Sequence, residues 1–175
     1  KYCPKAIAHY RNVLQCCHDH GITPVVTLHH FSTPAWIISN GGWCKEYIVE
    51  AFAKYAKKVT QELDNLIPYI CTINEANMGY QLHKVIQDMM KAGKREEGGV
   101  QVGTNTNLDM KKIVLGMFEQ GWVFKCNPFG INTFLKPRSE KQEEIVMRAH
   151  LAAKKAIKDA KPDIKVGLTL SLFDY

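Results

Sequence analysis

The sequence predicts an α/β fold with a parallel sheet, on three observations. Amphipathic helical stretches alternate with short apolar runs, in the order helix, strand, helix, strand, with short connections. The apolar runs are rich in β-branched residues and nearly continuous, as in strands covered on both faces. One of them, YICTINEAN at Tyr69–Asn77, ends in two polar residues, Asn74 and Glu75, so a buried strand delivers polar side chains at its C-terminal end.

The first helix is expected from about Pro4 to His20. Ile7, Tyr10, Leu14 and Cys17 fall on one stripe, Pro4 suits the first turn, and Gly21 suits the C-terminal cap. Ile22–His30 (ITPVVTLHH) follows as a strand that runs into His29 and His30, and a loop then carries Pro34, Trp36, Gly41, Gly42 and Trp43. The second helix spans about Lys45 to Leu63, with Ile48, Ala51, Phe52, Tyr55, Val59 and Leu63 at helical spacing, and leads to the YICTINEAN strand.

Beyond Glu75 the rhythm loosens. Met78–Ala92 and a stretch within Leu108–Phe124 have helical patterns, Gly93–Asn107 is a loop by composition, and Asn127–Gly130 is a turn. This excursion, about 78–138, far exceeds the ~2–6 residues of an ordinary βα connection. It is expected on the face that carries Glu75, either as a wall over a substrate or as a plain surface insertion. Ser139 opens a long helix, Glu140–Lys161, in a capping box with Gln142. Ile145, Ala149, Ala152, Ala153, Ala156 and Ala160 give it a small-residue face for close packing. Ile164–Leu172 (IKVGLTLSL) is a third strand.

Composition narrows the function. The chain has 175 residues, 46% hydrophobic and 23% charged, enough for one domain with a core. The net charge of +6 is spread along the chain, and the densest basic cluster, Lys91–Arg95, runs into Glu96 and Glu97. There is no basic stripe with interleaved aromatics, which speaks against nucleic-acid binding. No apolar run reaches membrane-spanning length and no signal-peptide pattern is seen. Six cysteines without a CxxC pair fit reduced thiols and a cytoplasmic setting. The tract Cys16-Cys17-His18-Asp19-His20 has metal-ligand chemistry, and with His29 and His30 it would make a metal-dependent enzyme. Cys17, however, continues the apolar stripe and the helix stops at Gly21, so no metal and no cofactor are expected.

A glutamic acid at the C-terminal end of a buried strand has the chemistry of a general acid, because burial or a neighbouring charge can raise its proton affinity. The plain alternative is that Asn74 and Glu75 close the strand and cap the next helix.

Several ordered pieces resemble glycoside hydrolase family 1, the β-glucosidase, β-galactosidase and 6-phospho-β-glycosidase family. They are HGITPVVTLHHFSTPAWI at His20–Ile37, GGW at Gly41–Trp43, TINEAN at Thr72–Asn77, and RAHLAAKKAI at Arg148–Ile157 with the strand after it. The resemblance implies a partial (β/α)8 TIM barrel, about strands 3 to 5 with their helices, as a single domain over 1–175 with a long βα insertion at about 78–138. It implies hydrolysis of β-glycosidic bonds by a retaining mechanism. Glu75 would be the general acid/base. Asn74 would hydrogen-bond the sugar hydroxyl beside the anomeric carbon, His30 another hydroxyl, and Phe31 would form an apolar wall. Side chains alternate along a strand, so His29 is expected to be structural. Trp36 and Trp43 are expected as core or loop anchors rather than sugar contacts.

Two departures from the family pattern bear on this reading. Ala76 stands where proline is usual, which is expected to loosen the backbone after Glu75, and Phe31 stands where tryptophan is common. The retaining mechanism also needs a second carboxylate, ~5 Å from the first, as nucleophile. In the family it lies in a Glu-Asn-Gly motif, and that tripeptide does not occur in this sequence. Asp174 follows a strand but is a poor substitute. The expectation is therefore a chain that carries Glu75 yet does not turn over a β-glycoside alone, with self-association through open barrel edges. A non-catalytic carbohydrate-binding or scaffold module is the competing class.

Overall fold

A computed structural model describes residues 2–92 and 110–172 of the chain. The stretch expected as a Gly-, Thr- and Asn-rich loop, and Asp174, lie outside the described residues. Helix α1 spans Pro4–Asp19, strand β1 Val25–His29, and the short helix α2 Ala35–Ser39. Helix α3 covers Tyr47–Leu63 and strand β2 Tyr69–Ile73. Helices α4 (Met78–Ala92) and α5 (Met110–Phe124) belong to the long excursion, and helix α6 (Glu140–Ala160) leads to strand β3, Lys165–Gly167.

The strands form one parallel sheet in the order β1-β2-β3. Val25 lies opposite Tyr69 and His29 opposite Ile73, and on the other side Tyr69 faces Lys165 and Cys71 faces Gly167. β2 is thus central, and four of its five residues are buried. The expectation that every strand is covered on both faces holds for β2 alone. Val25 is 67% exposed, and Lys165 and Gly167 are exposed, because β1 and β3 are edges among the described residues.

Helices α3 and α6 pack closely on one another and supply most of the core. Ile48, Phe52 and Ala56 of α3 meet the buried stripe Val146, Ala149, Ala153 and Ile157 of α6. Alanine on α6 lets the two axes approach, since helix separation follows the side chains at the contact. The α6 start is the expected capping box, with the Ser139 N–H donating to Gln142 Oε1 at 3.0 Å.

Helix α1 ends as its glycine requires. Gly21 has φ +69, and the Gly21 and Ile22 N–H groups donate back to the His18 and Cys17 carbonyls at 3.0 and 2.8 Å. This paired C-terminal cap needs a left-handed residue. Its apolar stripe is less covered than expected: Leu14 is buried, but Tyr10 is 59% exposed. In the Cys16–His20 tract Cys16 Sγ lies 3.7 Å from His20 Nδ1, and among the described residues no third ligand-type side chain joins them. His18 Nε2 lies 2.9 Å from the Leu66 carbonyl, and His20 Nδ1 lies 2.8 Å from the Cys16 carbonyl.

Candidate active site

The parallel register brings the C-terminal ends of β1 and β2 side by side, so His30 and Phe31 follow one strand where Asn74 and Glu75 follow its neighbour. The Asn74 N–H donates to the His29 carbonyl at 2.9 Å, extending the ladder one step beyond the last strand residues. The backbone then turns sharply. Glu75 has φ +45, left-handed for a residue that carries a Cβ.

The chain after β3 holds this turn from the other side. The Thr169 N–H donates to the Ile73 carbonyl (3.2 Å), and the Ala76 N–H donates to the Thr169 carbonyl (3.0 Å). The Thr169 hydroxyl accepts from the Glu75 N–H (2.9 Å) and donates to Asn74 Oδ1 (3.1 Å). One residue further, Asn77 and Ser171 exchange two bonds: Ser171 N–H to Asn77 Oδ1 at 2.8 Å and Asn77 Nδ2 to the Ser171 carbonyl at 2.9 Å.

The third anchor is Arg138. Its side chain is fully buried, and it donates to the Ala76 carbonyl at 2.8 Å, to Glu143 Oε2 at 2.9 Å and to the Phe134 carbonyl. The expectation that Ala76 loosens the backbone is therefore corrected. Ala76 is 0% exposed and both its backbone polar groups are bonded. A proline there could not donate to the Thr169 carbonyl.

Glu75 and Asn74 are half-buried. Among the described residues the Glu75 carboxylate makes no hydrogen bond or ion pair; only its backbone is bonded. His30 is exposed, with its ring centroid 5.1 Å from that of Phe31 in an edge-on contact. Phe31, at φ +65, stacks on Phe134 at 5.9 Å. The structure places all four residues at one end of the sheet, and the Thr169 hydroxyl links the Asn74 side chain to the Glu75 backbone. No hydrogen bond joins His30 to Asn74 or Glu75 among the described residues.

His29 points the other way. It is 5% exposed and packs 4.4 Å from Trp43 and 4.5 Å from Phe134 by ring centroid. Burial, reinforced by the Arg138 and His30 charges, lowers its pKa to about 4, so the ring is neutral near pH 7. Its Nε2 lies 3.3 Å from Thr33 Oγ1, which also accepts from Trp43 Nε1 at 3.1 Å. Trp43, 1% exposed, is a core anchor, whereas Trp36 is 54% exposed and touches Tyr47 at 6.3 Å between centroids. Thr169 and Arg138 were not foreseen as parts of this site. The only sequence signal for Arg138 was an arginine just ahead of a capping box, which does not separate a buried anchor from a surface charge.

A family model described as Glycosyl hydrolase family 1 matches residues 1–108. Among curated proteins, the chain is 35% identical over 105 residues to a cytosolic beta-glucosidase of Cavia porcellus, covering 58% of this chain and 22% of that protein. It is 39% identical over 75 residues to the 6-phospho-beta-glucosidase AscB of Escherichia coli (strain K12), covering 42% of this chain and 16% of that protein. The solved structure of beta-glycosidase BGL167 superposes with a TM-score of 0.75 at 32% identity, over 97% of this chain and 37% of that one. The chain thus spans well under half the length of these relatives, and the structural superposition on BGL167, unlike the two curated matches, covers nearly all of its own length. With a family match over more than half of its residues, the chain belongs to glycosyl hydrolase family 1.

Proposed function

We propose that this chain carries the acid/base side of a retaining β-glycosidase. The observation behind this reading is the placement of Asn74 and Glu75 at the C-terminal end of the central strand, beside His30 and Phe31, in a chain of this family. The residues correspond to about strands 3 to 5 of a (β/α)8 barrel, one domain over 1–175 with an insertion at about 78–138. In such barrels, catalytic groups project from the C-terminal strand ends. Glu75 donates its proton to the glycosidic oxygen as the bond to the anomeric carbon breaks. It then takes a proton from the water that releases the sugar. Asn74 and His30 hydrogen-bond hydroxyls of that sugar, and Phe31 walls it. No cofactor or metal takes part.

The substrate is a β-glucoside or related β-glycoside. The nucleophilic carboxylate comes from a Glu-Asn-Gly strand, which this sequence does not contain, so the chain alone is inactive. A cytoplasmic setting is supported by the cytosolic relative and by free thiols at the described cysteines. No described helix is long and apolar enough to cross a membrane.

The test is nitrophenol release from nitrophenyl β-glycosides, by the chain alone and by the chain supplied with a family segment bearing Glu-Asn-Gly. Activity only in the supplemented sample, reduced roughly 10²–10⁴-fold by Glu75→Gln, supports the reading. Activity of the chain alone, abolished by Glu75→Gln, would place the nucleophile within this sequence. Sugar binding without turnover in any sample would favour a carbohydrate-binding module.

A further inference from the structure

We propose that Thr169 is a positioning residue that fixes the Asn74 carboxamide with its amide, rather than its carbonyl, left free for a ligand. The inference rests on the reading of Asn74 as sugar-facing and adds the kind of ligand atom it can accept. A threonine hydroxyl has one hydrogen to give and two lone pairs. At Thr169 one lone pair takes the Glu75 N–H at 2.9 Å, and the hydrogen goes to Asn74 Oδ1 at 3.1 Å. Thr169 is itself held on both sides, by its N–H to the Ile73 carbonyl and by its carbonyl to the Ala76 N–H. The hydroxyl therefore sits on a fixed stretch of backbone and ties the two residues together.

The consequence concerns polarity. With Oδ1 engaged, Asn74 Nδ2 makes no hydrogen bond among the described residues, and the side chain is only half-buried. The group offered to a ligand is a donor, so the atom that meets it must accept. A sugar hydroxyl can accept. An ammonium group at the same carbon has only donors and no lone pair, so the site would reject a 2-ammonio sugar. Flipping the carboxamide to suit such a ligand would turn its donors toward Thr169. The Thr169 hydroxyl would then lose its acceptor. The same hydroxyl holds the Glu75 N–H, so it also helps keep that residue in its left-handed conformation.

The test compares the 175-residue chain with its Thr169→Val and Thr169→Ser variants by NMR. Valine keeps the shape and removes the hydroxyl, whereas serine restores it. In Thr169→Val, the Glu75 backbone amide should exchange roughly fivefold to tenfold faster and the Asn74 side-chain amide resonances should move. The Ala76 and Thr169 backbone amides should be unchanged, and Thr169→Ser should restore the wild-type values. Unchanged Glu75 exchange in Thr169→Val, or a uniform rise at every amide of the turn that serine fails to reverse, overturns the proposal.

Titration with methyl β-glucoside and its 2-amino-2-deoxy analogue, held below the amine's pKa, examines the sugar separately. Preference for the glucoside, lost in Thr169→Val, is the expected result, and equal binding of the two by wild type overturns the donor assignment. Binding of neither rejects the sugar-site reading and with it the ligand half of this inference, while the exchange data still decide the role of Thr169.

Discussion

The Ala76 carbonyl accepts a 2.8 Å hydrogen bond from Nη2 of Arg138, a side chain with no exposed surface. This bond joins the residue after Glu75 to the segment that leads into α6, 62 positions away in sequence. Gly79 makes room for it, because a Cβ there would lie 2.5 Å from Arg138 Cζ. The partner Glu143 is 13% exposed, and burial raises its pKa despite the opposing pull of Arg138.

Removing Arg138 should therefore cost more than removing the pair. A buried ion pair broken from one side leaves an uncompensated polar group, at roughly 3–5 kcal/mol. Arg138→Met is expected to lose stability in that range in urea unfolding. The double variant Arg138→Met with Glu143→Met should recover a large part of it. A double variant no more stable than the single one would mean that the bonds to the Ala76 and Phe134 carbonyls, not the ion pair, carry the effect.

His29 gives a pH dependence with a definite sign. Its pKa falls from about 6.5 unfolded to about 4 folded, by burial first and then by the charges of Arg138 and His30. The unfolded chain therefore binds this proton more readily than the folded one. The stability from the neutral ring is complete above about pH 6.5 and is lost as pH falls toward 4. The loss is on the order of 3 kcal/mol. His29→Phe fills the same aromatic cluster without titrating, and its unfolding free energy should be flatter over that window than that of wild type. Parallel pH curves for the two proteins would count against the assignment.

Much of this arrangement was legible in the sequence. The β2 run and its polar end could be read because a central strand is apolar on both faces. The Ser139–Gln142 box could be read because capping is local. Thr169 and Arg138 could not, since each acts on groups more than 60 positions away and looks like an ordinary threonine or arginine in its own segment. Ala76 was misjudged for a related reason. Replacing proline frees φ but also adds an N–H, and in the fold the Thr169 carbonyl accepts it and holds the backbone. Tyr10 kept the helical spacing of a core residue, but spacing says nothing about what covers the stripe.

Gly42 and Gly21 separate conformational from steric cost. Both have positive φ, at +65 and +69, where an L side chain costs roughly 1–2 kcal/mol. At Gly21 an added Cβ meets nothing within 4 Å, whereas at Gly42 it would lie 1.8 Å from the Asn132 carbonyl oxygen. Gly21→Ala should lose about 1 kcal/mol. Gly42→Ala should lose clearly more, because the 131–134 segment under Phe31 and Trp43 must move. Equal losses in thermal unfolding would show that this segment yields freely.

The last prediction concerns self-association. β1 and β3 are edges among the described residues, and Val25 on β1 is 67% exposed. An open edge carries unpaired backbone donors and acceptors and can add another strand. A separate apolar face lies on α5, where Leu115 is 61% and Trp122 84% exposed. The edge route offers hydrogen bonds as well as apolar area, so the chain is expected to associate through it. Sedimentation should then show a mass that rises with concentration, and Val25→Lys, which blunts the edge, should shift the equilibrium toward monomer. Paired Leu115→Ser and Trp122→Ser changes should have the smaller effect. A reversal of that order would assign the contact to α5, and a concentration-independent monomer would remove both routes.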